Sequence, residues 1–373
     1  MSRYTRRFLP HANNLRIASG GKLRVTLVSP EWPGDSHSGG VARYALRLAE
    51  RLREHVDLTI VTVDGNGADL SGTNVLRTKR HHGRFGRYYA LPFRLRKLVR
   101  QSQPDVVHSF GDDWALGHRW PMVRTFHGSA AGEARSSRGL RRLNHYVLAI
   151  LEHWSARRVD VRIAVGADSM EEFRCDTAMP PVVRLNRSTS RAAVPSVVFI
   201  GSFHGRKRGW MVAESVDRLR RQSGLEIGLT VVGPADDRKN WPSYCLHLEG
   251  VSDAEVHEWI GRSWVLAAPS SYEGFGIPAF EGLALGTPVV TSPTPGAEFL
   301  RSLLDGHVGF DIVPDQDFTD ALAAVLLASP PDQTSMPLTQ VEPVLELAET
   351  ERLVGEVYQR AIDRFERSRR RRS

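Results

Sequence analysis

The sequence predicts an α/β protein of two doubly wound domains, and three observations carry that expectation. Apolar runs of strand length alternate with segments of helical period, which is the pattern of parallel α/β architecture. The alternation runs once from Leu23 to Val165 and starts afresh at Val197. Between the two sets, the stretch from Met179-Pro180-Pro181 to Val194-Pro195 reads as a linker. A length of 373 residues agrees with two domains. The expected bounds are 1–185 and 195–340, with a final helix at about 344–367.

In the first set, residues 23–29 are the first strand, and Gly39-Gly40 opens a helix with Val41, Ala45, Leu48, Ala49 and Leu52 at helical spacing. Strands follow at 58–63, 106–109, 123–127 and 161–165. Leu140, Leu143, Val147, Ile150, Leu151 and Trp154 mark a helix with one apolar face. The second set has strands at 197–201, 229–232, 245–248 and 264–268, and the proline-rich PPDQTSMPLTQVEP beyond Asp311 reads as a loop. Open sheets of this kind bind ligands beyond the carboxyl ends of their strands.

Composition narrows the class. Hydrophobic content of 41% and charged content of 25% belong to a soluble globular protein. No apolar run approaches the roughly 18 residues of a membrane span. The basic N-terminus has no apolar stretch, so a secretory signal is not expected, although its arginines leave a transit peptide open. Cys175 and Cys245 form no metal or redox spacing and read as reduced thiols of a cytoplasmic protein. The net charge of +8 is concentrated in two places. From Lys79 to Arg100 there are eight Lys or Arg, interleaved aromatics and no acid, and the chain ends in RSRRRRS. A solvated face, an anionic membrane surface and a nucleic acid compete as explanations. No nucleic-acid module is recognisable, so nucleic acid is the weakest of the three.

The densest chemistry lies in PSSYEGFGIPAFEGLALGTPVVTSPTPGAE, from Pro269 to Glu298. Glu273 and Glu281 stand eight positions apart around Gly-Phe-Gly-Ile-Pro. Pro278 suits the first turn of a helix, and Gly286 with Thr287-Pro288 suits its stop, so residues 279–285 read as a short helix. Glu273 then lies just before a helix N-terminus and Glu281 one turn inside it. Backbone N–H groups at Gly276 and Ile277 would point out of that terminus and offer an anion site. Hydroxyl acceptors on either side of a phosphate cradle suit a nucleotide sugar.

From Pro269 to Val290 the chain resembles the retaining glycosyltransferase family 4, also called group 1, whose fold is GT-B. The resemblance implies two Rossmann-like domains with an interdomain cleft. It also implies transfer of a sugar, with retention and without a metal, from a nucleotide-diphosphate sugar to an acceptor hydroxyl on a glycan, glycolipid or small molecule. No cofactor beyond the donor is implied. By the same resemblance Glu273 grips sugar hydroxyls and Glu281 the ribose. Gly39-Gly40 faces the acceptor and the transferred sugar's phosphate. His127, in Thr-Phe-His-Gly, lies near the sugar's 6-hydroxyl, and the final helix crosses back onto the first domain.

The segment FIGSFHGRKRG from Phe199 to Gly209 resembles the family's phosphate-contact loop, with Lys207 matching its lysine. Ser202 stands where the family usually carries Arg, which leaves Arg206 or Arg208 to supply the missing guanidinium. That departure keeps a rival open: a non-catalytic binder of sugar nucleotides or polyanions. Three further groups read as structural. Asp317 of Asp-Gln-Asp is expected to cap a helix, with Asp320 at N3, and not to hold a metal. Asp112-Asp113 is expected to be a solvated loop, and His108 a strand-end residue.

Overall fold

The computed structural model describes residues 22–33, 40–63, 70–79, 85–128, 130–131, 139–181, 190–304, 306, 309–328, 341, 344–345 and 350–371. Gly39, residues 80–84 of the basic run and most of the proline-rich loop lie outside them. The chain divides into two compact units. The first takes residues within 5–182 and 347–373, and the second takes residues within 183–346.

The first unit is built on seven strands: β1 (Arg24–Val28), β2 (Asp57–Val63), β3 (Asn74–Thr78), β4 (Val106–Ser109), β5 (Met122–Phe126), β6 (Val161–Ala164) and β7 (Thr177–Ala178). All pair in parallel, in the order β3-β2-β1-β4-β5-β6-β7. The crossovers include α1 (Gly40–Leu52), α2 (Leu91–Ser102), α3 (Gly139–Ala156) and α4 (Ala167–Glu172). Strand β4 is buried throughout, as expected of a strand covered on both faces. Val41 to Leu52 obey the helical period, and Ala42, Tyr44, Ala45, Leu48, Ala49 and Leu52 are the buried side of α1.

The C-terminal helix belongs to this unit. Its consecutive pieces, Thr350–Arg352, Leu353–Tyr358 and Gln359–Arg370, include a π-type stretch in the middle. Tyr358 is fully buried, and its hydroxyl lies 2.9 Å from His108 Nδ1, while His108 Nε2 lies 2.8 Å from Thr125 Oγ1. Arg352 donates to Thr177 at 2.6 Å, and Arg364 to the Asp160 carbonyl and the Asp176 carboxylate. His108 is thus a core connector between β4, β5 and the last helix.

The second unit repeats the design with β8 (Ser196–Ile200), β9 (Gly228–Val232), β10 (Leu246–Leu248), β11 (Val265–Ala268), β12 (Val289–Thr291) and β13 (Phe310–Ile312). These are parallel in the order β10-β9-β8-β11-β12-β13. Helices α5 (Gly209–Ser223), α6 (Asp253–Arg262), α7 (Ile277–Ala284), α8 (Pro295–Leu303) and α9 (Phe318–Leu326) cover it. Ser252 and Glu255 form a reciprocal capping box at the start of α6, and Thr294 caps α8. Arg191 donates to the carbonyls of Gly261, Ser263 and Gly286, closing off carbonyls at helix ends.

Two expectations change here. The apolar stripe of α3 does not face the core: Leu143 is 62% and Ile150 70% exposed, with Tyr146, Val147 and Trp154 exposed beside them. The inward side of α3 is polar or small, with buried His145, Ala149, Ser155 and Ala156. Asp317 precedes α9, but its side chain makes no cap hydrogen bond, because its backbone is helical and not extended (φ −95°, ψ −3°).

Candidate active site

In each sheet the strand order reverses once, between β1 and β4 in the first and between β8 and β11 in the second. Loops leaving neighbouring strands diverge at such a point and open a crevice. In the second unit, β8 delivers residues 201–208 and β11 delivers residues 269–276 to that crevice. Three groups from these loops converge on Glu273 Oε1: Lys207 Nζ at 2.6 Å, Arg206 Nη1 at 2.9 Å and Ser270 Oγ at 2.8 Å. Burial alone would raise the Glu273 carboxyl. The cations of Lys207 and Arg206, with hydrogen bonds from Lys207 and Ser270, outweigh it and hold the group below its ordinary range.

Gly276 follows with φ +84°, a left-handed conformation that favours glycine, and serves as the N-cap of α7. The first-turn N–H groups of α7 have no intrahelical acceptor, and Pro278 contributes none. The positive end of the helix therefore lies beside Lys207 and Glu273, around a small cavity of about 20 Å³. Gly296 fixes the loop from behind. Its N–H donates to the Glu273 carbonyl at 2.9 Å, and a Cβ there would come within 2.7 Å of that oxygen and of Phe275 N.

In the first unit, residues after β1, β4 and β5 line a pocket of about 320 Å³ with part of α3. Arg124 lies at its base, with Nη1 2.6 Å from Asp113 Oδ1 and Nη2 3.1 Å from Glu152 Oε1. Ser155 donates to the same Asp113 oxygen at 2.6 Å. His127 packs edge-on against Tyr44, with ring centres 4.6 Å apart. Its Nε2 is buried without a hydrogen-bond partner among the described residues. Burial, reinforced by Arg124, pushes the His127 imidazole down to about 3, so it stays neutral near pH 7. Asp112 holds a left-handed backbone (φ +50°). Burial pushes its carboxyl up to about 7, against the pull of Arg87 and Arg124 and with the repulsion of Asp113 and Glu31.

Family models place this arrangement. Residues 38–185 match the model described as Glycosyltransferase Family 4, and residues 194–328 match that of Glycosyl transferases group 1. The chain belongs to this glycosyltransferase family. Glycogen synthase of Mycobacterium tuberculosis (strain CDC 1551 / Oshkosh) is 28% identical over 266 residues, covering 62% of this chain and 62% of the relative. A phosphatidyl-myo-inositol mannosyltransferase of Propionibacterium freudenreichii subsp. shermanii is 28% identical over 199 residues, covering 50% of this chain and 48% of the relative. The chain thus spans about half to three-fifths of the length of these curated relatives. The solved structure of Anabaena Alr3699/HepE in complex with UDP and glucose has the same fold. Its TM-score is 0.67 at 12% identity, over 90% of this chain and 98% of that one. The two Rossmann-like units therefore have the GT-B fold.

The residues singled out from the sequence do not all meet in one place. Glu273, Lys207, Arg206, Gly276 and Ile277 converge in the second unit's crevice. Glu281 lies on the same helix but is only 4% exposed, with its Oε1 3.3 Å from His257 Nε2. Arg208, at φ +54°, turns to Asp315, which it meets at 2.5 Å, and donates to the Pro269 carbonyl and Ser292. It braces the loop, and Asp315 of the Asp-Gln-Asp string is its counterion. Ser202 donates to the His204 carbonyl at 2.9 Å. In the first unit His127 lines the pocket, Gly40 is the exposed first residue of α1, and Gly39 lies outside the described residues.

One expectation is corrected: Asp113 is not solvated but 2% exposed and paired with Arg124, which could not remain buried without a counterion. Sequence reasoning missed Glu31, Arg87, Trp114 and Glu152 as pocket residues, since each is a lone residue brought in from a different loop or helix. Gly296 has no reading from the sequence either, because nothing in Thr-Pro-Gly announces its approach to the Glu273 loop.

Proposed function

We propose that this glycosyltransferase moves a hexosyl group from a nucleotide-diphosphate sugar to an acceptor hydroxyl, with retention and without a metal. The observation that carries the reading is the convergence of Lys207 and Arg206 on Glu273 beside the N-terminus of α7. Departure of a nucleoside diphosphate leaves negative charge on the leaving group and positive charge on the sugar. Lys207, Arg206 and the N–H groups of α7 supply the preorganised positive charge that the first needs. Glu273 supplies an acceptor for sugar hydroxyls, since its Oε2 takes no part in the bonds converging on Oε1. Two cations in place make a bridging metal unnecessary, and attack from the departing phosphate's own face gives retention. The acceptor then sits in the first unit's pocket, where neutral His127 offers a hydrogen bond and not a charge.

The test is donor binding and turnover with UDP-, GDP-, ADP- and TDP-sugars, followed by the anomeric configuration of the product. Lys207→Ala should lose about 1.5–3 kcal/mol of a charge-assisted contact, seen as roughly 10- to 150-fold weaker donor binding or turnover. Glu281→Ala should weaken binding of the nucleoside diphosphate with the fold intact. Wild-type activity in both variants would remove the donor assignment. Tight donor binding without turnover on any acceptor would favour the rival, a non-catalytic binder.

Contact with an anionic membrane rests on the first unit. Phe85 and Phe93 are exposed beside Arg94, Lys97 and Arg100, and Tyr89 of this segment lies 3.2 Å from Asn144 of α3, which carries the exposed apolar stripe. No helix among the described residues is long and apolar enough to cross a membrane.

A further inference from the structure

The chemistry of the first unit's pocket is specific enough to choose among acceptors. Resting on the reading of that pocket as the acceptor site, we propose that it takes an uncharged polyhydroxylated group, the terminus of a glycan or glycoside, and turns away phosphorylated polyols. Among the described residues the pocket is lined by the acids Glu31, Asp112, Asp113 and Glu152, by the guanidinium groups of Arg87 and Arg124, and by His127 and His145. Both guanidinium groups are already engaged. Arg124 binds Asp113 and Glu152, and Arg87 Nη2 lies 2.6 Å from Glu31 Oε1.

A phosphate seeks a surplus of cationic donors, as where Lys207 and Arg206 share the single carboxylate of Glu273. Among the described residues it would meet two arginines already matched by Glu31, Asp113 and Glu152, with Asp112 adding its charge as pH rises through about 7, and like charges at close range oppose binding. Of the pocket histidines, His127 adds no compensating charge, because burial and Arg124 keep it neutral. A phosphoinositol headgroup, of the kind in the Propionibacterium relative's name, would set its phosphate among these acids.

Hydroxyl groups reverse the argument, because they donate to carboxylates, which only accept. Glu31 and Asp112 stand at the pocket wall as acceptors, Asp112 on its left-handed turn. Tyr88, Phe110 and Trp114 add apolar faces against which the C–H face of a sugar ring can lie, and Trp114 Nε1 is tied to the Tyr88 carbonyl at 3.2 Å. Amphipathic aromatics with a few placed polar groups are the usual make-up of a small-molecule site.

The test uses matched pairs of ligands on the full chain loaded with UDP or GDP. Methyl glucoside, methyl mannoside and myo-inositol are each compared with a phosphate monoester of the same sugar or polyol, with affinities taken from NMR titration. The uncharged member of at least one pair should bind about tenfold tighter or better. Asp112→Asn and Tyr88→Ala should each weaken it several-fold, with circular dichroism confirming the fold. Equal or tighter binding of the phosphorylated members, no binding of any uncharged member, or binding indifferent to both substitutions would overturn the proposal. Donor binding and slow donor hydrolysis are followed in the same samples. If they persist while the acceptor prediction fails, only the acceptor class is wrong; if they are absent as well, the glycosyl-transfer reading itself is wrong.

Discussion

Glu273 shows how much one side chain can be asked to do. Its Oε1 takes up Lys207, Arg206 and Ser270, so the two cations that would face a diphosphate are held in place and partly neutralised before any ligand arrives. Glu273→Gln keeps the shape and frees the cations. It should bind a nucleoside diphosphate more tightly than the wild type while transferring sugar more slowly, which calorimetry and initial rates would separate; a parallel loss of both would contradict this balance. The same carboxyl makes a pH prediction. Because its folded-state pKa lies below the unfolded value, its stabilising effect is present above the ordinary carboxylate range and is lost as pH falls through the depressed value. The acid limb of a Tm-against-pH curve should therefore be shallower in Glu273→Gln. The sequence marked Glu273 and Lys207 because each belongs to a recognisable string at a strand end. It did not mark Asp113 or Glu31, whose roles arise only when β1, β4, β5 and α3 bring together residues far apart in the chain.

At the scale of elements, legibility follows burial. Strands covered on both faces, such as β8 and β11, are almost continuous apolar runs and read directly from the chain. β3, β7 and β13 did not, being short or only partly buried strands that end their sheets or lie next to an end. The start of α7 was legible because a left-handed Gly276 and a first-turn Pro278 leave a chemical signature. The orientation of α3 was not, since periodicity shows that an apolar stripe exists and says nothing of which way it turns. The packing of α8 onto the Glu273 loop was equally silent, and it carries a prediction. Gly296→Ala would place a methyl group 2.7 Å from the Glu273 carbonyl, so α8 or the loop must give way. Overpacking of this kind costs about 1–3 kcal/mol. The stability loss should come with donor affinity reduced about tenfold, because the displaced segment carries Glu273 itself. Normal donor affinity in a destabilised Gly296→Ala protein would show that the loop is positioned by other contacts.

For the molecule as a whole, the net charge of +8 poses a question that composition alone left among a solvated face, a membrane surface and, as the weakest, a nucleic acid. The first unit sharpens it by adding apolar groups to the basic ones. Leu143, Val147, Ile150 and Trp154 form an exposed row on α3, and Tyr89, packed against the exposed Phe85, bonds Asn144 of that helix and precedes the exposed Phe93 and the basic residues of α2. A solvated face gains nothing from such a row, since exposed patches of this kind mark contact sites. An interfacial surface gains twice: about 1 kcal/mol for each basic residue near anionic lipid, and about 1.5–3 kcal/mol for each large apolar side chain fully removed from water. The protein should therefore sediment with phosphatidylglycerol vesicles and not with phosphatidylcholine vesicles at low salt. Salt near 1 M shrinks the Debye length to about 3 Å, and should release most of it. Leu143→Glu with Ile150→Glu should reduce the bound fraction several-fold and leave Tm nearly unchanged, because both residues are already exposed. Equal sedimentation with both lipids, or binding that ignores the two substitutions, would return this face to solvent.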